Sequence, residues 1–98
     1  MSITYFPLKC TYVQASPPHP LNTQYKVSIG WEKWQDKNIL VSKVQIVYNG
    51  KVLGRKSPSY PFGTDDYKIV SMELSRMVEE FRSESKEWNV SSFEKVMS

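Results

Sequence analysis

The chain reads as an α+β domain: a three- or four-stranded antiparallel β-meander packed on one long C-terminal helix, with a short final helix. Two observations predict it. Residues 24–56 alternate apolar and polar side chains across two short polar connections, the period of strands that bury one face. Residues 67–81 instead repeat their apolar side chains at helical spacing.

The first candidate strand covers residues 3–13, where Phe6, Leu8, Cys10 and Tyr12 alternate with Pro7, Lys9, Thr11 and Val13. Pro7 has no N–H to give a ladder, which places it at an edge or a bulge. Ser16-Pro17-Pro18-His19-Pro20 follows as a semi-rigid connector across one end of the sheet. Further on, Asn49-Gly50 is a type I′ hairpin signal, because both residues tolerate positive φ. That turn sets Tyr48 opposite Lys51, Val47 opposite Val52, Ile46 opposite Leu53, Gln45 opposite Gly54, Val44 opposite Arg55 and Lys43 opposite Lys56. A turn centred on Asp36-Lys37 sets Trp34 opposite Ile39, Ile29 opposite Val44, Val27 opposite Ile46 and Tyr25 opposite Tyr48.

These registers sort the side chains onto two faces. Tyr25, Val27, Ile29, Trp31, Val44, Ile46, Tyr48 and Leu53 make an apolar face for the core. Lys26, Ser28, Gly30, Glu32, Trp34, Ile39, Val41, Lys43, Gln45, Val47, Val52, Gly54 and Lys56 make a second face, which is mixed and basic at one end.

Two prolines and Gly63 end the strand region, and Thr64 is a suitable N-cap with Asp65 and Asp66 in the first helical turn, where the dipole favours acids. At about 100° per residue, Tyr67, Val70, Leu74, Met77, Val78 and Phe81 form one stripe that packs on the sheet. Ile69 and Met72 fall on the opposite side and need another partner or exposure. Asn89 is a candidate helix end. Ser91 with Glu94 then forms a capping box for the short final helix, carrying Phe93, Val96 and Met97.

Ninety-eight residues with 40% apolar content make one domain over residues 1–98 with a single core. Its charge is divided. The strand-rich part, residues 1–63, holds eight Lys and Arg against Glu32 and Asp36, a net +6, while the helical part, residues 64–98, holds five against eight acids, a net −3. Cys10 is the only cysteine, so no internal disulfide forms, and no segment has the length and apolarity of a signal peptide or a membrane span. The expectation is a soluble, cytoplasmic protein.

Catalytic chemistry finds little support in the residue types. One His and one Cys exclude the usual zinc sets, and His19 has no acid near it in sequence. Asp65-Asp66 and Glu79-Glu80 are adjacent on a helix, so the members of each pair diverge. The glycines at 30, 50, 54 and 63 are too scattered for a phosphate cradle. No enzyme, metal, cofactor or small-molecule substrate is expected.

The second face of the sheet is the candidate site. Lys43 facing Lys56, with Lys26 on the same face, concentrates positive charge that an anionic partner would relieve. Lys26, Lys43, Lys56 and Arg55 would neutralise phosphates, Trp34 would stack a base and Gln45 would offer hydrogen bonds, which makes single-stranded or distorted nucleic acid the first candidate partner. Residues 48–55, with the loop and long helix that follow and Pro18-His19 upstream, resemble the last half of a double-stranded-RNA-binding domain. The resemblance would imply a lysine cluster at the start of the helix, where this chain carries Asp65 and Asp66. A curved sheet backed by one helix is also similar to several single-strand-binding modules. The alternative is a protein-binding module, a small inhibitor or adaptor or a homodimer, using Trp34, Ile39, Val41, Val47 and Val52.

Overall fold

The computed structural model describes the backbone of residues 4–97 and the side chains of residues 4–84. Four strands, β1 (Tyr5–Gln14), β2 (Thr23–Trp34), β3 (Lys37–Tyr48) and β4 (Lys51–Val52), form one antiparallel sheet in sequence order, followed by helix α1 (Asp66–Met97). The meander therefore has four strands. Ile3, at the start of the expected first strand, lies outside the described residues.

Strand β1 is an edge, and its ladder with β2 is interrupted by a bulge between Pro7 and Lys9. The missing Pro7 N–H accounts for the break. The extra residue reverses the alternation, so Phe6, Leu8, Cys10 and Tyr12 do not share one face. Tyr5 and Pro7 stand opposite Glu32 and Gly30, while Cys10 and Tyr12 stand opposite Ser28 and Lys26. Lys9 turns toward the helix and pairs with Glu84 at 2.8 Å and Glu80 at 3.6 Å. At Gly30 the strands approach so closely that a Cβ would lie 2.2 Å from the Phe6 carbonyl oxygen and 2.7 Å from the Pro7 Cα.

The β2–β3 register differs from the expected one by two residues. Trp34 pairs with Lys37, Tyr25 with Ile46, Val27 with Val44 and Ile29 with Ser42. The turn is Gln35-Asp36, with Gln35 at φ 57°. An even shift keeps every side chain on its face, so alternation alone could not separate the two registers.

The Asn49-Gly50 turn forms as expected, with φ of 49° and 79°, and pairs Tyr48 with Lys51 and Val47 with Val52. One more bond, Leu53 N–H to the Ile46 carbonyl at 2.8 Å, follows. The chain then turns away, closed by Lys56 N–H to the Leu53 carbonyl at 3.1 Å. The expected pairs Gln45–Gly54, Val44–Arg55 and Lys43–Lys56 do not form, because this turn takes residues 53–56 out of the ladder.

The core lies between the apolar face and the helix. Tyr25, Val27, Ile29 and Ile46 from the sheet meet Val70, Met77 and Phe81 from α1, with Val13, Val44, Leu53, Leu74 and Val78 packed around them. Each such side chain contributes roughly 1.5–3 kcal/mol on burial. The helical stripe is as expected except at Tyr67, which is exposed and meets the Tyr60 ring in a T-shaped contact at 5.3 Å. Ile69 and Met72 are exposed on the other side. Helix α1 runs unbroken through Asn89, so the expected separate final helix is instead its continuation; no Gly or Pro occurs between residues 66 and 97 to stop it. The capping box of Ser91 and Glu94 and the docking of Phe93, Val96 and Met97 concern side chains outside the described residues. Among the described residues, no helix is long and apolar enough to cross a membrane.

Candidate functional site

The surface available for binding is set by what holds the helix down. Asp66, at the helix start, is 2% exposed. It accepts hydrogen bonds from the Ser16 N–H at 2.9 Å, the Ser16 hydroxyl at 2.5 Å and the Tyr25 hydroxyl at 2.8 Å. Burial alone would raise its carboxyl, but the bonds from Ser16 and Tyr25 outweigh burial and hold it below the ordinary value of 3.8. Burial, and then the Asp66 contact, raise the Tyr25 phenol. Tyr60 stacks on Tyr25 at 5.0 Å, and His19 meets the Tyr25 ring edge-on at 5.8 Å while bonding the Ser59 carbonyl at 2.8 Å. The proline connector and the loop before the helix are thus pinned to one end of the sheet. The expected dipole role of Asp66 understated it, since its partners lie 41 and 50 residues away in sequence.

The other face of the sheet has no described element over it. Glu32 accepts from both the Lys43 ammonium and, at 2.7 Å, the Trp34 indole N–H, and these bonds lower its carboxyl. Lys43 also stands 4.6 Å from the centre of the Tyr5 ring, whose hydroxyl lies 2.6 Å from the Ser28 hydroxyl. Ser28 is consequently buried on a face expected to be open. The expected basic cluster is not assembled: Lys43 is neutralised by Glu32, and Arg55 and Lys56 leave the sheet with the 53–56 turn. Lys26 stays on the face between Tyr12 and Gln45, its cross-strand neighbours, and has no anionic partner among the described residues. The Gln45 Oε1 is buried without a hydrogen-bond partner.

Of the apolar candidates, Trp34 and Val52 are exposed, at 53% and 40%, and Ile39 and Val41 are half-buried. Val47 is a correction. It is 2% exposed, enclosed in the row between Gln24 and Val52, and offers no contact area. Tyr12, 50% exposed, belongs to the same face and was missed because the bulge hides its phase.

A second concave region lies at the end of the sheet near His19. A cavity of about 170 Å³ is lined by Thr23, Ile46, Tyr48, Leu53 and Lys56, and it shares His19, Pro20 and Lys56 with a shallower depression of about 340 Å³ that extends to Tyr60. Lys56, expected on the second face, is found here. Among the described residues, no three His, Cys, Asp or Glu side chains cluster as metal ligands.

Compared with known protein families, with characterised proteins and with solved structures, the chain matches none.

Proposed function

We propose that this chain is a non-catalytic binding module that engages a protein partner through the uncovered face of the sheet. The observation that carries the reading is the exposure of Tyr12, Trp34 and Val52 on a face no described element covers. Aromatic side chains at a patch centre supply most of the energy of an interface. The Glu32 bonds to Lys43 and Trp34 also fix those two side chains before any partner arrives, which lowers the entropy cost of association. Light scattering of the purified chain and partner capture, each repeated with Trp34→Ala, test this. The expected outcome is loss of the complex or self-association; an assembly state and partner set unchanged by the substitution would refute the reading.

Nucleic acid is the second reading, supported by Lys26, which lacks an anionic partner beside the orphaned Gln45 Oε1. Titration of labelled single-stranded and duplex oligonucleotides at two salt concentrations separates the two. Each phosphate contact would add about −0.7 to −0.9 to the log–log affinity slope. No binding at low salt removes this reading, and a flat salt response argues for the protein partner.

A further inference from the structure

The two edges of the sheet are built differently. Strand β1 carries Pro7 with a bulge beside it, and its Lys9 is held by acids of the helix. Proline and bulges stop a further strand from adding to an edge. The edge beyond β3 has neither. Strand β4 covers only Val47 and Tyr48, and the Leu53 bond to the Ile46 carbonyl extends that cover by one residue. Residues 37–45 have no described strand on their outer side.

Their backbone is aimed outward in a regular row. The Ile46 carbonyl faces Leu53 and therefore away from β2, and in an antiparallel strand every second residue directs its N–H and C=O to the same side. The β2–β3 ladder has no register shift, so Asn38, Leu40, Ser42 and Val44 direct theirs outward as well. The lysine that would guard this edge is drawn off it: Lys43 reaches back to Glu32 on β2 and lies 4.6 Å from the centre of the Tyr5 ring on β1. A strand that is apolar and half-buried at Ile39, Leu40, Val41 and Val44, with no Pro, Gly or bulge, is a template for strand addition.

The chain's own sequence fits that template. Antiparallel pairing with a second copy about a two-fold axis through Val41 sets Asn38 against the partner's Val44 and Leu40 against the partner's Ser42, and the reverse. All the outward residues are then paired, through about eight hydrogen bonds. Lys37 faces the partner's Gln45 and Lys43 faces the partner's Ile39, so no lysine opposes a lysine. Neighbouring registers fail. An axis at Leu40 sets Lys37 against Lys43, a like-charge pair. An axis at Ser42 drives Asn38 onto Ile46, which Leu53 already occupies. An axis at Ile39 or Lys43 leaves half of the outward residues unpaired.

We infer that the chain pairs with itself along β3, joining two four-stranded sheets into one continuous antiparallel sheet. The contact is self-complementary, as a two-fold interface requires. It uses the edge of the sheet, so it stands independently of the reading placed on the face.

Sedimentation equilibrium of the full chain, from micromolar to millimolar concentration, should show a monomer–dimer equilibrium. Ser42→Pro removes an outward N–H and no bond to β2; it should weaken association about tenfold or more while the chain keeps its circular dichroism and cooperative melting. Register is read by crosslinking in a Cys10→Ser background. Opposed residues outside the hydrogen-bonded pairs have Cα atoms about 4.5 Å apart, within disulfide reach, so Val41→Cys should form a disulfide dimer on mild oxidation. Leu40→Cys and Ser42→Cys lie diagonal to their counterparts, about 7–8 Å apart, and should not. If Ser42→Pro unfolds the chain, the crosslinking decides alone. A monomer at every concentration, with the edge free or taken by an added extended peptide, would overturn the inference. So would association unchanged in a folded Ser42→Pro chain, or crosslinking at 40 or 42 as efficient as at 41. Trp34→Ala should leave the dimer intact while losing a partner bound to the face, so the two readings fail separately; a dimer lost in Trp34→Ala contradicts pairing at the edge.

Discussion

On the helix side of the sheet, Asp66 is enclosed and collects donors from Ser16 and Tyr25; on the other side, Glu32 collects Lys43 and Trp34 near solvent. Of the two carboxylates, Asp66 joins parts of the chain 41 and 50 residues apart, whereas the partners of Glu32 lie two and eleven residues away on the same hairpin. Their settings separate their consequences. Enclosed, an ion with three donors cannot be removed without leaving the two from Ser16 unsatisfied. Near solvent, water replaces whatever is lost, so the same kind of contact orders a surface without holding up the fold.

Asp66→Ala should be the most damaging substitution, costing roughly 3–4 kcal/mol in denaturant unfolding, because the Ser16 N–H and hydroxyl lose their acceptor and the Tyr25 hydroxyl is left with the Ser59 carbonyl. A loss under about 1 kcal/mol would place Asp66 with the surface pairs. The pH dependence follows from the same contact. The folded Asp66 carboxyl lies below its ordinary 3.8, so its contribution is fully present above that pH and is lost as pH falls through the lower folded value. The acid limb of the stability profile below pH 3.8 should therefore flatten in Asp66→Asn. Tyr25 acts at the other extreme: its folded value is raised from 10.0, so its contribution persists below that pH and fades only as pH climbs beyond it.

Gly30→Ala comes next, at about 1–3 kcal/mol by overpacking. The new methyl meets backbone of Phe6 and Pro7, which cannot rotate aside as a side chain would. Hydrogen exchange should show β1 loosening ahead of the bulge while β2 and β3 stay protected. Glu32→Gln should cost less than about 1 kcal/mol, yet alter tryptophan fluorescence by releasing the Trp34 indole. If it instead destabilises as Asp66→Ala does, the contrast between the two carboxylates fails.

Much of this architecture was legible in the residues. Alternation and the Asn49-Gly50 turn placed β2, β3 and the first pairs of β4, and helical spacing placed Val70, Met77 and Phe81 on the core. Alternation has a period of two, however, so it could not distinguish a β2–β3 register from one shifted by two residues. It was equally blind to the bulge that puts Tyr12 on the uncovered face and to the 53–56 turn that removes Lys56 from it. Ser16, Tyr25 and Asp66 converge only in three dimensions, and no local signal joins them. The candidate site consequently kept Trp34, Lys26 and Val52, lost the Lys43–Lys56 pair and Val47, and gained Tyr12.

The central claim is that the exposed apolar side chains of the sheet's uncovered face, Tyr12, Trp34 and Val52, are surplus to folding. Urea unfolding of the triple variant Tyr12→Thr, Trp34→Thr, Val52→Thr tests it most directly. Threonine keeps the strand preference while deleting the exposed apolar surface. The account predicts a stability within about 0.5 kcal/mol of the parent chain, as for surface substitutions generally. A loss of more than about 2 kcal/mol, the size of a core truncation, would contradict it.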